Sequence, residues 1–89
     1  MLKITLRKQF KKELKQQEKR GKNPKKLLVI AEKLAKQEPL DQKHCNHKLV
    51  DNFKGRWECH IEPDWLLVYC ITDDEIIFER TGTHSDLFD

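Results

Sequence analysis

Leu2, Ile4 and Leu6 alternate with Lys3, Thr5 and Arg7 at the start of the chain, the period of a half-buried strand. The following KQFKKELKQQEKR consists of helix formers but offers few apolar anchors, chiefly Phe10 and Leu14 one turn apart. That pattern predicts a surface helix with a thin buried stripe, ended by Gly21. Asn23-Pro24 reads as an N-cap followed by proline at the first helical position. Leu27, Ile30, Ala31, Leu34 and Ala35 then recur at i, i+3, i+4, i+7 and i+8, one continuous face of a second helix. The two helices are expected to pair antiparallel, with the second supplying most of the core. Pro39 stops it, and EPLDQKHCNHKLVDN is a polar connector with room for one short helical turn.

Beyond the connector the period changes to two. KGRWECHI reads as a strand, EPD as a turn, WLLVYCIT as a strand, Asp73-Asp74 as a second turn and EIIFERTG as a third strand. Trp65 to Ile71 has no polar face, which places that strand at the centre of the sheet, buried on both sides. The order β-α-α-β-β-β predicts an α+β fold: two N-terminal helices packed on one face of a small, mainly antiparallel sheet, the first strand closing beside the meander. The tail THSDLFD is too short for a further element, and Leu87 and Phe88 are expected to fold back onto the sheet. Eighty-nine residues make one domain, 1–89.

Charge changes the picture more than composition does. Residues 1–26 carry eleven Lys/Arg against two Glu, a local +9; the remainder carries seven against thirteen acids, −6, which leaves the net +3. The N-terminal third is a positive source suited to a polyanion, although a solvated lysine-rich helix would look the same. The three cysteines cannot all pair within the chain, which points to free thiols in a reducing, cytoplasmic setting. The first residues lack the apolar stretch of a secretory signal, and no apolar run is long enough to span a bilayer, so no membrane is expected.

Candidate chemistry collects in the C-terminal half, where all four histidines lie: His44, His47, His60 and His84. In a three-strand meander alternate turns fall at opposite ends, so the turn at 62–64 and the exit of the last strand near 82 share one end. His60, Asp64 and His84 can converge there. Imidazole both accepts and donates a proton near neutrality. A ribonuclease without a metal needs a base for the 2′-OH, an acid for the departing 5′-oxygen and a cation on the phosphate, and His60, His84, Asp64 and Arg80 can supply them. Trp65 and Phe88 offer flat faces for unpaired bases. Against this stand ordinary structural duties. Asp64 can cap its turn, Trp65 can pack in the core and Arg80 can pair with Glu58. His44, Cys45 and His47, or Cys59 and His60, match no structural zinc spacing, and Cys59 and His60 point to opposite faces of a strand; no metal and no cofactor are expected.

HCNHKL, ECHIEPDWLLVY and FERTGTHSDLF resemble the motifs of the YafQ branch of RelE-like toxins, the toxin halves of bacterial type II toxin–antitoxin pairs. The likeness extends over the whole chain. It implies the RelE-like microbial ribonuclease fold and a ribosome-dependent endoribonuclease that cuts mRNA and arrests growth. It implies contacts from the lysine-rich helices (Lys11, Lys12, Lys15) to ribosomal RNA. It also implies a small antitoxin as partner, one that covers the basic cleft with an acidic segment. The family's active-site positions fall on His47, His60, Asp64, His84 and Phe88, with Trp65 beside Asp64 and Arg80 at the arginine of the last strand. Three positions depart from the pattern. The family arginine three residues before His60 is Trp57 here, with Arg56 one place earlier and on the same strand face as His60; Asp51 replaces a glycine and Phe53 a tryptophan. The rival within this resemblance is a protein of the same fold that binds antitoxin or RNA without cleaving. A weaker one is a small metal-binding regulator.

Overall fold

Local rules act first at the two long helices, α1 (Lys8–Lys19) and α2 (Pro24–Ala35). Asn23 Oδ1 accepts the Lys25 amide at 3.0 Å ahead of Pro24, so α2 starts where the N-cap expectation put it. Both helices end in the same paired motif. Gly21 and Lys22 donate back to Glu18 and Gln17 after α1, and Gln37 and Glu38 to Leu34 and Lys33 after α2. Gly21 takes the left-handed conformation, φ 95°, without strain, whereas at α2 the same place is held by Gln37, φ 59°. That turn ends α2 four residues before Pro39, so the proline is not what terminates it.

The computed structural model describes residues 1–49 and 55–88; Asp51 and Phe53 lie outside the described residues. Its strands are β1 (Lys3–Leu6), β2 (His47–Lys48), β3 (Arg56–Glu62), β4 (Trp65–Ile71) and β5 (Glu75–Gly82). They form one sheet in the order β1-β5-β4-β3-β2. β1 runs parallel to β5, and the other pairings are antiparallel. β4 is central, as its unbroken apolar run requires, and Trp65 to Tyr69 are all buried. Two elements were missed. β2 is two residues long and falls in the stretch read as connector, just after a single 3-10 turn at Gln42–His44. The tail, read as too short for structure, forms a five-residue helix, α3 (His84–Phe88).

Phe10, Leu27, Ile30, Ala31, Leu34 and Ala35 from the helices pack on Cys59, Ile61, Trp65, Leu67, Tyr69, Ile76 and Phe78 of the sheet. Phe10 and Phe78 meet with ring centroids 5.4 Å apart. The helices approach the sheet more closely than each other, α1 over β5 and α2 over β3 and β5, so the expected antiparallel helix pair is secondary to helix–sheet packing. Burial pushes the Cys59 thiol up to about 12, which leaves it inert inside the core. The opposite face of the sheet carries Arg56, Glu58 and His60 on β3 beside Leu66 and Val68 on β4, and no long helix among the described residues covers it. No helix among the described residues is long and apolar enough to cross a membrane.

Candidate active site

Strand register on this open face decides which side chains meet. His60 is paired with Leu66, and the bulge between His60 and Glu62 shortens the hairpin so that its turn is Pro63-Asp64. His60 Nδ1 donates to the Pro63 carbonyl at 3.1 Å across that turn. The bulge also takes Glu62 away from the histidines, to Lys26 at 2.6 Å and Lys22 at 3.1 Å. β5 exits at the same end of the sheet, and α3 begins there with His84. Asp64 Oδ1 accepts the His84 backbone amide at 3.0 Å and His84 Nδ1 at 2.9 Å. Those two hydrogen bonds, the amide's first, hold the Asp64 carboxyl below its ordinary range, so it is an anion behind the ring. The His60 and His84 rings stand edge to face with centroids 5.6 Å apart. Sequence reasoning therefore placed His60, Asp64 and His84 at one rim, and the structure brings them together.

His47 arrives by a route the sequence did not reveal. As half of the two-residue strand β2 it sits opposite Glu58, and its Nδ1 donates to the Cys45 carbonyl at 2.6 Å. Its Nε2 lies 3.7 Å from Glu58 Oε1, and His60 Nε2 lies 3.6 Å from the same oxygen. Glu58, with only 8% of its side chain exposed, thus lies buried between two imidazoles. Its alternation with His60 on β3 was the available signal. The expected pairing of Arg80 with Glu58 is not formed. Arg80 instead grips Glu13 of α1 through Nε at 2.9 Å and Nη2 at 2.6 Å, and Glu13 also accepts the Thr81 amide. That clamp fixes the guanidinium at the edge of a cavity of about 250 Å³ lined by Arg56, Val68, Glu79, Arg80, Leu87 and Phe88.

Phe88 is 42% exposed, with its ring 6.4 Å from that of His84. Trp65 differs. It is fully buried and its Nε1 donates to Thr81 Oγ1 at 2.9 Å inside the core, which corrects the expectation that it stacks on RNA. Arg56 lies on the open face as alternation required and pairs with Glu79 at 3.0 Å, while Trp57 turns to the other face and stacks on Tyr69. His44 donates from Nδ1 to the His60 carbonyl at 2.7 Å and buttresses β3 without joining the cluster. Lys11, Lys12 and Lys15 all lie exposed on the outer side of α1. The metal spacings weighed in the sequence omitted one grouping: Glu58, His60 and His84 each offer a ligand atom, all within 4.8 Å of one another.

Comparison with known proteins shows the family. Residues 2–89 match the family model described as the bacterial toxin of type II toxin–antitoxin system, YafQ. The chain belongs to the YafQ toxin family. It is 42% identical to the mRNA interferase toxin YafQ of Escherichia coli (strain B / BL21-DE3) over 81 residues, 90% of this chain and 88% of the other. Among solved structures it is similar to a copper-bound mutant toxin from Helicobacter pylori, TM-score 0.95 and 42% identity, covering 99% of this chain and 100% of that one. It is also similar to YafQ from the E. coli DinJ–YafQ complex, TM-score 0.92 and 39% identity, with both chains fully covered. The YafQ fold thus extends over all the elements that carry the candidate site.

Proposed function

We propose that the chain is an mRNA interferase, the toxin of a type II toxin–antitoxin pair, which acts as a single domain in the cytoplasm on mRNA held by the ribosome. The observation that supports this best is the pair of imidazoles at one open rim, each oriented from behind: His84 by the Asp64 anion and His60 by the Pro63 carbonyl with Glu58 alongside. With Nδ1 donating to Asp64, His84 keeps Nε2 to take the proton of a ribose 2′-OH, and the Asp64 charge stabilises the imidazolium that forms. The 2′-oxygen attacks phosphorus, the bond from phosphorus to the 5′-oxygen breaks, and His60 supplies the proton to the leaving oxygen. His47 shares Glu58 with His60 and lies on the phosphate side. Arg80, with Arg56, places positive charge beside the phosphate, and Phe88 stacks on the adjacent base. Positioning by the ribosome supplies the in-line geometry that free RNA adopts rarely. The DinJ–YafQ complexes make a cognate antitoxin the expected partner. Its acidic segment would neutralise the +9 of residues 1–26.

End analysis of RNA cut on translating ribosomes tests the reading. A 2′,3′-cyclic phosphate or 3′-phosphate upstream and a 5′-hydroxyl downstream are expected; 3′-hydroxyl ends would exclude this route. A substrate with sulfur in place of the 5′-bridging oxygen needs no acid at the leaving group. It should restore cleavage to His60→Ala and not to His84→Ala, and the reverse pattern would exchange the two roles.

A second reading rests on Glu58, His60 and His84, whose donor set suits a borderline cation such as Cu2+ or Zn2+. Such an ion would occupy both imidazoles, so it would inhibit the metal-free reaction. Cleavage unaffected by EDTA and suppressed by equimolar Cu2+ is the expected result; loss of activity in EDTA would make the ion a participant.

A further inference from the structure

Asp86 takes no part in the reaction above, yet its carboxylate accepts four hydrogen bonds from three residues. Arg20 donates from Nη1 at 2.7 Å and from Nη2 at 3.3 Å, Gln17 from Nε2 at 3.0 Å, and the Thr83 amide at 3.0 Å. The Asp86 amide in turn donates to Thr83 Oγ1 at 3.1 Å, which makes Thr83-His84-Ser85-Asp86 a reciprocal capping box. One side chain therefore closes the start of α3 and ties that helix to the C-terminal end of α1. A five-residue helix has no stability of its own, so the place of α3 is set by such tethers.

The neighbours are shaped around this carboxylate. Gln17 is fully buried and, among the described residues, its Oε1 accepts no hydrogen bond. Its amide is oriented by Asp86 alone, since the flipped amide would turn an oxygen toward the anion. Gly82 leaves the space Asp86 needs: a Cβ there would sit 2.9 Å from Asp86 Cβ and 3.0 Å from Oδ2. Arg20 and the Thr83 amide hold the carboxyl well below the usual carboxylate range, so the clamp stays charged at any pH at which the protein works.

We propose that Asp86, with Gln17 and Arg20, is a positioning residue: it locks α3 onto α1 and thereby holds the His84 ring on Asp64 in register with His60. This rests on the reading of His84 as a proton-transfer group. α3 carries both His84 and Phe88, so releasing it moves the base and the stacking ring together. The lysines of α1 that face solvent do not touch the clamp. Losing the clamp therefore acts mainly on turnover: docking through those lysines is untouched, and only the Phe88 stack adds a smaller effect on substrate binding.

The test measures kcat and KM for mRNA cleavage on programmed ribosomes, with histidine ring resonances recorded by NMR, for Asp86→Ala, Gly82→Ala and His84→Ala. Asp86→Ala should lower kcat by about tenfold to hundredfold, the loss expected for a catalytic group displaced by about an ångström, with a smaller rise in KM of less than about tenfold from the displaced Phe88 stack. The His84 ring resonances should shift while those of His47 stay in place. Gly82→Ala keeps every charge and every clamp residue; it crowds Asp86 and also strains the backbone at φ 159°, so the His84 resonances are read beside kcat, and it should give the same split even if Asp86→Ala fails to fold. A kcat within about twofold of the parent in folded Gly82→Ala or Asp86→Ala, or a kcat loss with the His84 resonances unmoved, would overturn the inference. Undiminished cleavage by His84→Ala is a separate result: it would remove the active-site reading and this inference with it.

Discussion

His84→Ala is expected to reduce mRNA cleavage by about a thousandfold, the middle to upper range for removal of a general acid or base, while the melting temperature changes by no more than a few degrees. The two halves of that expectation have separate causes. The imidazole is more than half exposed, and among the described residues its polar partner is Asp64, at the molecular surface. A solvent-exposed pair of this kind adds little to stability. The backbone amide of residue 84 still donates to Asp64 in the variant, so α3 keeps that tether. Chemistry has no such reserve, because α3 carries no other imidazole to replace it. Asp64→Asn should lose less, about tenfold to hundredfold, since an amide oxygen can still orient the ring but places no charge behind the imidazolium. Growth arrest on induction and the yield of cut message on isolated ribosomes would measure both. A variant with intact cleavage would remove His84 from the reaction and favour a protein of this fold that binds without cutting. A variant that has lost its cooperative melting would mark the residue as structural.

What the sequence made legible, and what it hid, follows from how far apart the determining residues lie. β3, β4 and β5 were readable to within a residue or two because period two and the polar breaks between them are local signals. Helix α2 was readable from its cap and its apolar face. The convergence of His60, Asp64 and His84 followed from meander geometry alone, since the β3–β4 turn and the exit of β5 lie at the same end of a three-strand meander. His47 could be named only by family resemblance. Its position depends on β2, and two residues carry no period; the pairing of His47 with Glu58 is set by β3 across a connector. Glu58 was passed over because a lone carboxylate on a strand looks like an exposed polar position until its neighbours are known. The alternative pairing of Arg80 with Glu58 failed for a similar reason: Glu13 lies 67 residues away on a helix, and sequence spacing cannot report that distance. Trp65 shows the converse error. The motif placed it beside Asp64, but alternation on a central strand turns adjacent residues to opposite sides, and its ring went to the core. α3 did have a signal, Thr83 followed three residues later by Asp86, but a box without an apolar run behind it was read as tail.

Replacing Lys11, Lys12 and Lys15 with Glu should weaken ribosome association by roughly hundredfold near 0.1 M salt, with little effect on folding. All three side chains are exposed on α1, none is paired with a carboxylate among the described residues, and the buried stripe of that helix (Phe10, Glu13, Gln17) lies on its other side. Each lysine placed on a phosphate releases about 0.7–0.9 of a condensed counterion, and three lost contacts then give the stated factor at that salt concentration. The triple reversal takes the charge of residues 1–26 from +9 to +3, so it also weakens long-range attraction during encounter. Salt separates these effects from damage to the site. The gap between parent and variant should narrow steadily as salt rises, with a slope shallower by about two to three for the variant, whereas a disturbed active site would leave a gap of constant size. The same lysines stand at the surface an acidic antitoxin segment would cover, so the variant should be neutralised less tightly as well. Equal ribosome affinity at low salt would mean that the charge of α1 serves solubility, and that docking uses another face of the molecule.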